Sequence, residues 1–364
     1  MVMDPTVVVI GGGYAGIAAA KDLDDVAHVV LVEPRDAFVH NVAALRGLVD
    51  PAWAHRLFYP YDELLNRGRV VRDRARKVDP AGVTLDSGRR FDADYIVLAT
   101  GSTYPFPAKF DVADSASAKA RIRATYDELT RAEHVLLLGA GPVGLELAGE
   151  LKAAWPDKAV TIVDPAHDIL VGGLPAELRT ELRRQLAELN VELVLGAPLH
   201  EDPPSEPGEV KGFTATTTRG REIAADIWFR CYGIRPNSDY LAGGLEAART
   251  PTGAIEVTPE LHLPDAPTVF AIGDVTAIPE AKMAKAAGEH ARIAAANIRT
   301  LILGDQNLSA YTPAAPSIAL PLGPTHGATY APEAGLLTAE TTAQIKGQTL
   351  RTEAYEALLG PALP

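Results

Sequence analysis

A single cysteine, Cys231, occurs in the 364 residues, so this chain by itself can form neither an intramolecular disulfide nor a redox-active dithiol. Dithiol chemistry within the chain is excluded. Cys231 lies in the apolar run Ile227-Trp228-Phe229-Arg230-Cys231-Tyr232, just before a glycine turn at Gly233, which reads as a small buried core residue rather than a reactive thiol. The chain also lacks any long Lys/Arg run, and its formal net charge of −13 would repel phosphate backbones and anionic lipid headgroups. Nucleic acid is therefore not an expected partner. No apolar stretch reaches the roughly 20 residues needed to span a bilayer. Residues 1–5 show neither the basic start of a secretory signal nor a glycine at position 2 for myristoylation, so neither is expected. The chain reads as cytoplasmic, with peripheral contact at the inner face of a membrane left open, and no metal site is expected.

What the chain does have is 47% hydrophobic and 22% charged residues, the balance of a packed globular protein. It is too long for one ordinary core, so two or three domains are expected. Two glycine-rich fingerprints organise it: Gly11-Gly12-Gly13-Tyr14-Ala15-Gly16 and Gly139-Ala140-Gly141-Pro142-Val143-Gly144. Each follows an apolar strand-like run and opens a helical one. In such a turn the first glycine permits the tight bend, the second lets backbone N–H groups approach a pyrophosphate, and the third lets helix and strand pack closely. The phosphate then faces a helix N-terminus. Each unit continues into a second strand that ends in a carboxylate, Glu33 after the first fingerprint and Asp164 after the second, placed to accept from a ribose hydroxyl. Asp164 would repel a 2′-phosphate, so NADH is expected over NADPH, with NADPH as the alternative.

Between the fingerprints, residues 83–85 and 90–92 alternate like strands around a turn, and Tyr95-Ile96-Val97-Leu98 ends at Ala99-Thr100-Gly101. Pro105 and Pro107 make an extended crossing, and a helix from Ala116 to Arg131 leads into the second fingerprint. The second module closes near Tyr240. A further strand ends at Ile272-Gly273-Asp274, before an alanine-rich helix from Ala281 to Leu303. The tail from Gly304 carries short apolar runs and a last helix from Thr338 to Leu359 without a clean apolar stripe.

These residues carry a family likeness. The two fingerprints, the ATG box at Ala99-Thr100-Gly101 and the GD box at Gly273-Asp274 resemble the two-dinucleotide-binding-domain flavoproteins of the pyridine nucleotide-disulfide oxidoreductase superfamily. Residues 33–46 (EPRDAFVHNVAALR), 99–110 (ATGSTYPFPAKF), 233–238 (GIRPNS) and 282–284 (KMA) look like the ferroptosis suppressor protein, or apoptosis-inducing-factor-homologous, branch. Type II NADH dehydrogenases resemble the chain less: their AQxAxQ helix is here Ala284-Lys285-Ala286-Ala287-Gly288-Glu289.

The resemblance implies an α/β fold with two Rossmann-like domains and a small C-terminal α+β domain. An FAD-binding domain would comprise residues 1–111 and 245–303, interrupted by an NAD(P)H-binding domain at 112–244, with an appendix at 304–364. It implies FAD held by Gly11, Gly13, Gly16, Glu33, Arg35, Asn41, Val78, Thr100, Gly101, Gly273, Asp274, Lys282 and Met283, and a nicotinamide cofactor held by Gly139, Gly141, Gly144, Asp164 and Gly233. Glu146 would stand near the nicotinamide and Lys109 at the edge of the acceptor mouth. Phe106 and residues 316–322 would line an apolar acceptor pocket. His40 and His290 would be proton donors to the reduced acceptor. The implied activity is NAD(P)H-dependent reduction of a quinone through FAD, by a monomer or homodimer. In disulfide reductases of this architecture the redox cysteines follow the first ribose carboxylate; the comparable stretch here, residues 40–46, has none. Two readings of other classes stay open: a binding protein like apoptosis-inducing factor, and a reductase of a small electron-transfer protein, against which the −13 charge weighs.

Overall fold

The computed structural model describes residues 4–363. The β-branched run Val7-Val8-Val9 is fully buried: Val7 and Val9 pack on the side of the helices Tyr14–Leu23 and Ala284–Ile302, and Val8 packs on the other side with Val78, Val83 and Leu85 of the strands Ala75–Asp79 and Gly82–Leu85. It belongs to strand Thr6–Ile10, the centre of a six-stranded sheet ordered His262–Leu263, Ala266–Ala271, Tyr95–Leu98, Thr6–Ile10, His28–Glu33, Arg69–Arg72. All neighbours run parallel except the first pair, and Val8 sits between Val30 and Ile96. A second, wholly parallel sheet repeats the pattern in the order Val191–Leu195, Ala159–Asp164, His134–Leu138, Ile227–Arg230. In both sheets the strand before the fingerprint lies beside the strand bearing the carboxylate, the nucleotide-binding arrangement of a Rossmann unit. The fold is α/β with two Rossmann-like units, as the resemblance implied, each sheet carrying helices on one face and antiparallel strands on the other.

The first fingerprint helix, Tyr14–Leu23, packs against Ala284–Ile302, and the buried Ala19, Ala20, Ala291, Ala294 and Ala295 keep that contact close. The two connections between sheets are stitched by a short antiparallel pair, Ser102–Thr103 with Arg235–Pro236. A three-stranded meander, Ile318–Leu322, His326–Ala331 and Gly335–Leu337, lies on the second fingerprint helix, Pro142–Ala154. Gly149 makes room for it: a Cβ there would collide with the backbone of Leu322.

Two helices differ from the sequence reading. The alanine-rich helix begins at Ala284, not Ala281, with Met283 as its N-cap. The final helix is broken into Ala339–Thr342, a π-helical turn at Ala343–Gly347 and Thr352–Leu359, with Leu350 and Arg351 left-handed at φ 51° and 63°. The break has a physical cause in long-range partners. Arg46 donates to the carbonyls of Gly347 and Gln348, and His40 to that of Leu350, so side chains take carbonyls near the break.

Candidate functional site

Both fingerprints show the same glycine logic in three dimensions. Gly11 and Gly139 have φ of 101° and 119°, and a Cβ on either would press on a neighbouring strand end, at Ala99 or Cys231. A Cβ on Gly16 or Gly144 would strike the carbonyl of Gly11 or Gly139 respectively. At Gly13 and Gly141 it would meet nothing within 4 Å. The second glycine of each turn therefore leaves open space at a helix N-terminus, where an anion is favoured. These cradles fit a pyrophosphate each.

The carboxylates stand beside them. Glu33, 4% exposed, accepts from Gly12 N at 2.6 Å through Oε2 and from Arg35 N at 2.9 Å through Oε1. Asp164 does the same from Ala140 N at 2.6 Å and Ala166 N at 2.7 Å. Each oxygen keeps lone-pair capacity for a ribose hydroxyl. Arg35 also reaches the carbonyl of Phe110, and Tyr61 donates to that of Gly12, which steadies the first loop.

The ATG and GD segments meet the same site. Thr100 Oγ1 donates to Asn237 O at 2.6 Å while Asn237 Nδ2 donates back to Thr100 O, and Gly101 has a φ of 61°. Asp274 Oδ2 accepts from Ser102 Oγ at 2.7 Å and from Lys109 Nζ at 3.1 Å. Asn41 opens a single 3₁₀ turn, Asn41–Ala43, beside Tyr14, whose hydroxyl accepts from Val42 N. Gly233, with φ 104°, lies in the connection that pairs with residues 102–103.

On the second fingerprint helix, Glu146 Oε1 accepts from Lys346 Nζ at 2.7 Å, both side chains being mostly buried. One turn on, Glu150 forms a fully buried bidentate pair with Arg46, at 3.0 and 2.7 Å. Burial pushes the Glu150 carboxyl up, with Arg46 opposing. Lys346 had no part in the sequence reading, and Arg46 entered it only as the last residue of the segments 33–46 and 40–46, with no partner assigned. An i, i+4 carboxylate pair on the fingerprint helix was visible, but its partners lie about 100 and 200 residues away in sequence.

Several expected roles change. Lys109 is bonded to Asp274 and Ser102 rather than standing at an acceptor mouth. Lys282 donates to the carbonyls of Thr276 and Ile278, which spends its ammonium on the GD turn. Val78 is fully buried; its N–H donates to Tyr240 O and its carbonyl accepts from Ala242 N, so both of its peptide groups are taken by an isolated bridge to residues 240–242. Phe106 is buried against Phe110 with Arg121 over its ring, and Leu320 and Leu322 are buried too, so these residues fill core instead of lining an open pocket. His40 and His290 are each 1% exposed with both ring nitrogens engaged. Burial holds His40 down to about 4, which leaves it neutral and a poor proton donor. Cys231 is buried, its thiol pushed up to about 12 by desolvation, in line with an inert core position.

The family model for pyridine nucleotide-disulphide oxidoreductases matches residues 5–295. The chain belongs to that family. Among its relatives, ferroptosis suppressor protein 1 of Homo sapiens is 34% identical over 88% of this chain and 87% of its own. Apoptosis-inducing factor homolog B of Dictyostelium discoideum is 29% identical over 98% and 97%. The sulfide:quinone oxidoreductase of Aquifex aeolicus shares the fold at a TM-score of 0.77, with 18% identity across 99% of this chain and 93% of that one. This pyridine nucleotide-disulphide oxidoreductase is thus an oxidoreductase of the FAD and NAD(P)H class, of the branch that its sequence resembles. Among the described residues no helix is long and apolar enough to cross a membrane.

Proposed function

We propose that the chain is an FAD-dependent NADH oxidoreductase whose electron acceptor is a quinone. Residues 1–111 and 245–303 form the flavin unit, 112–244 the nicotinamide unit, and 304–364 a unit that closes over the second fingerprint helix. The observation that carries the reading is the pair of open cradles at Gly13 and Gly141 in a chain whose sole thiol is buried. Bound FAD would supply the two-electron carrier between NADH and acceptor that no side chain here can provide.

The residues then have defined tasks. Gly11, Gly13, Gly16 and Glu33 bind the ADP half of FAD, and Asp274, held by Lys109 and Ser102, orients the rest of its chain. Gly139, Gly141, Gly144 and Asp164 bind the nicotinamide nucleotide. Glu146, fixed by Lys346, stands as the carboxylate of the nicotinamide end. The quinone assignment rests on the resemblance to the ferroptosis suppressor protein branch and on the absence of a thiol relay.

The purified protein should be yellow with non-covalent FAD, and NADH should bleach it in a stopped-flow mixer. Glu146→Ala should slow that bleaching with flavin content unchanged. A protein that takes up no FAD on reconstitution would sink the proposal.

A further inference from the structure

The strand that delivers the GD turn gives its last ladder bond at Ile272, whose N–H donates to Leu98 O. The next N–H, of Gly273, leaves the sheet and donates to His290 Nδ1 at 3.0 Å. That bond fixes the imidazole tautomer: Nδ1 accepts, so Nε2 carries the proton and donates to Glu280 Oε1 at 2.7 Å. Glu280 Oε2 in turn accepts from Tyr311 Oη at 2.7 Å, and the Tyr311 ring meets the His290 ring edge-on with centroids 4.4 Å apart. His290 is buried, which together with nearby Lys282 disfavours the doubly protonated ring, while Glu280 and Asp274 pull the other way; the net direction is down. A protonated Nδ1 could not accept from Gly273.

Gly273 has a φ of 74°, and a Cβ there would lie 3.2 Å from Ala15 and 3.6 Å from Ala287, between the starts of the two helices packed on the first sheet. Its neighbour Asp274 presents the carboxylate held by Ser102 and Lys109. Gly273 O is also taken, by Thr276 N and Oγ1. The turn is thus clamped from behind at both peptide groups.

Resting on the FAD reading above, we propose that Tyr311, Glu280 and His290 are positioning residues for the flavin, a relay of hydrogen bonds that sets the Gly273 peptide and so the placement of the Asp274 carboxylate. Tyr311 belongs to the segment after the long helix, and Asn297 pins the same segment through Ser309, so the C-terminal part of the chain reaches the cofactor site through this relay.

Substitution separates the two ring nitrogens. His290→Asn places an acceptor near the Nδ1 position, whereas His290→Gln mimics Nε2 and leaves Gly273 unpaired. The Gln variant should raise the FAD dissociation constant roughly threefold to tenfold, the effect of one lost hydrogen bond. It should also alter the visible circular dichroism of bound flavin. The Asn variant should stay near wild type in both. Hydrogen exchange of the peptide containing Gly273, measured on flavin-free protein, should be faster in the Gln variant only. Wild-type exchange and FAD affinity in the Gln variant would overturn the relay while leaving the cofactor assignment standing. A wild type that binds no FAD, with the exchange pattern still present, would instead overturn the functional reading and with it the relay's purpose.

Discussion

At His40 the hydrogen-bond pattern fixes the tautomer, and burial keeps the ring neutral. The Leu350 carbonyl can only accept, so Nε2 donates to it at 2.8 Å and Nδ1 accepts from the Tyr14 hydroxyl at 3.1 Å. A folded-state value of about 4 lies below that of an unfolded histidine, so the unfolded chain binds the proton first and stability falls as pH drops from about 6.5 toward 4. A His40→Gln protein is less stable at pH 7, but its deficit should shrink by about 2 kcal/mol by pH 5 in urea titrations, because only the wild type carries this term. A pH-independent difference would show that His40 is not held neutral. Asp164 makes a second prediction at this scale. Its carboxylate, placed against a ribose, should favour NADH over NADPH by ~1–3 kcal/mol in kcat/KM, and Asp164→Ala should erase the preference. Equal efficiencies in the wild type would contradict it.

At the scale of elements, the two glycines inside one helix start behave oppositely. Gly13→Ala places its methyl in open space on extended backbone, so the protein should fold with an unchanged Tm yet lose FAD to gel filtration. Gly16→Ala drives a methyl into the Gly11 carbonyl and should cost ~1–3 kcal/mol of stability, read by denaturant unfolding. The buried Arg46–Glu150 pair joins the short helix Ala44–Gly47 to the second fingerprint helix. Arg46→Met alone should destabilise by ~3–5 kcal/mol through the orphaned Glu150, and a second change, Glu150→Leu, should recover most of it. The strands and both fingerprint units were legible because their signals are local: β-branched runs, glycine spacing and a terminal carboxylate within one βαβ segment. The broken C-terminal helix was not, because its break depends on Arg46 and His40, some 300 residues earlier. Val78 misled for a related reason. Its bonds to residues 240–242 belong to a closure that no local pattern reports.

Over the whole molecule, the C-terminal segment bonds to residues of both fingerprint units. Lys346 reaches Glu146 on the second fingerprint helix, Gly347 and Gln348 hold Arg46, and Leu350 holds His40 beside Tyr14 of the first fingerprint helix. Tyr355 packs its ring on Tyr14, Phe38 and His40. The function proposed above rests on electron passage between two bound dinucleotides with no protein thiol involved. The most direct test is steady-state NADH oxidation with a series of quinones, run on the FAD-loaded wild type and on Cys231→Ala. Quinone reduction at closely matched rates in the two proteins is the predicted result; FAD and NADH bound without any quinone turnover, or turnover abolished in Cys231→Ala with its flavin still in place, would contradict it.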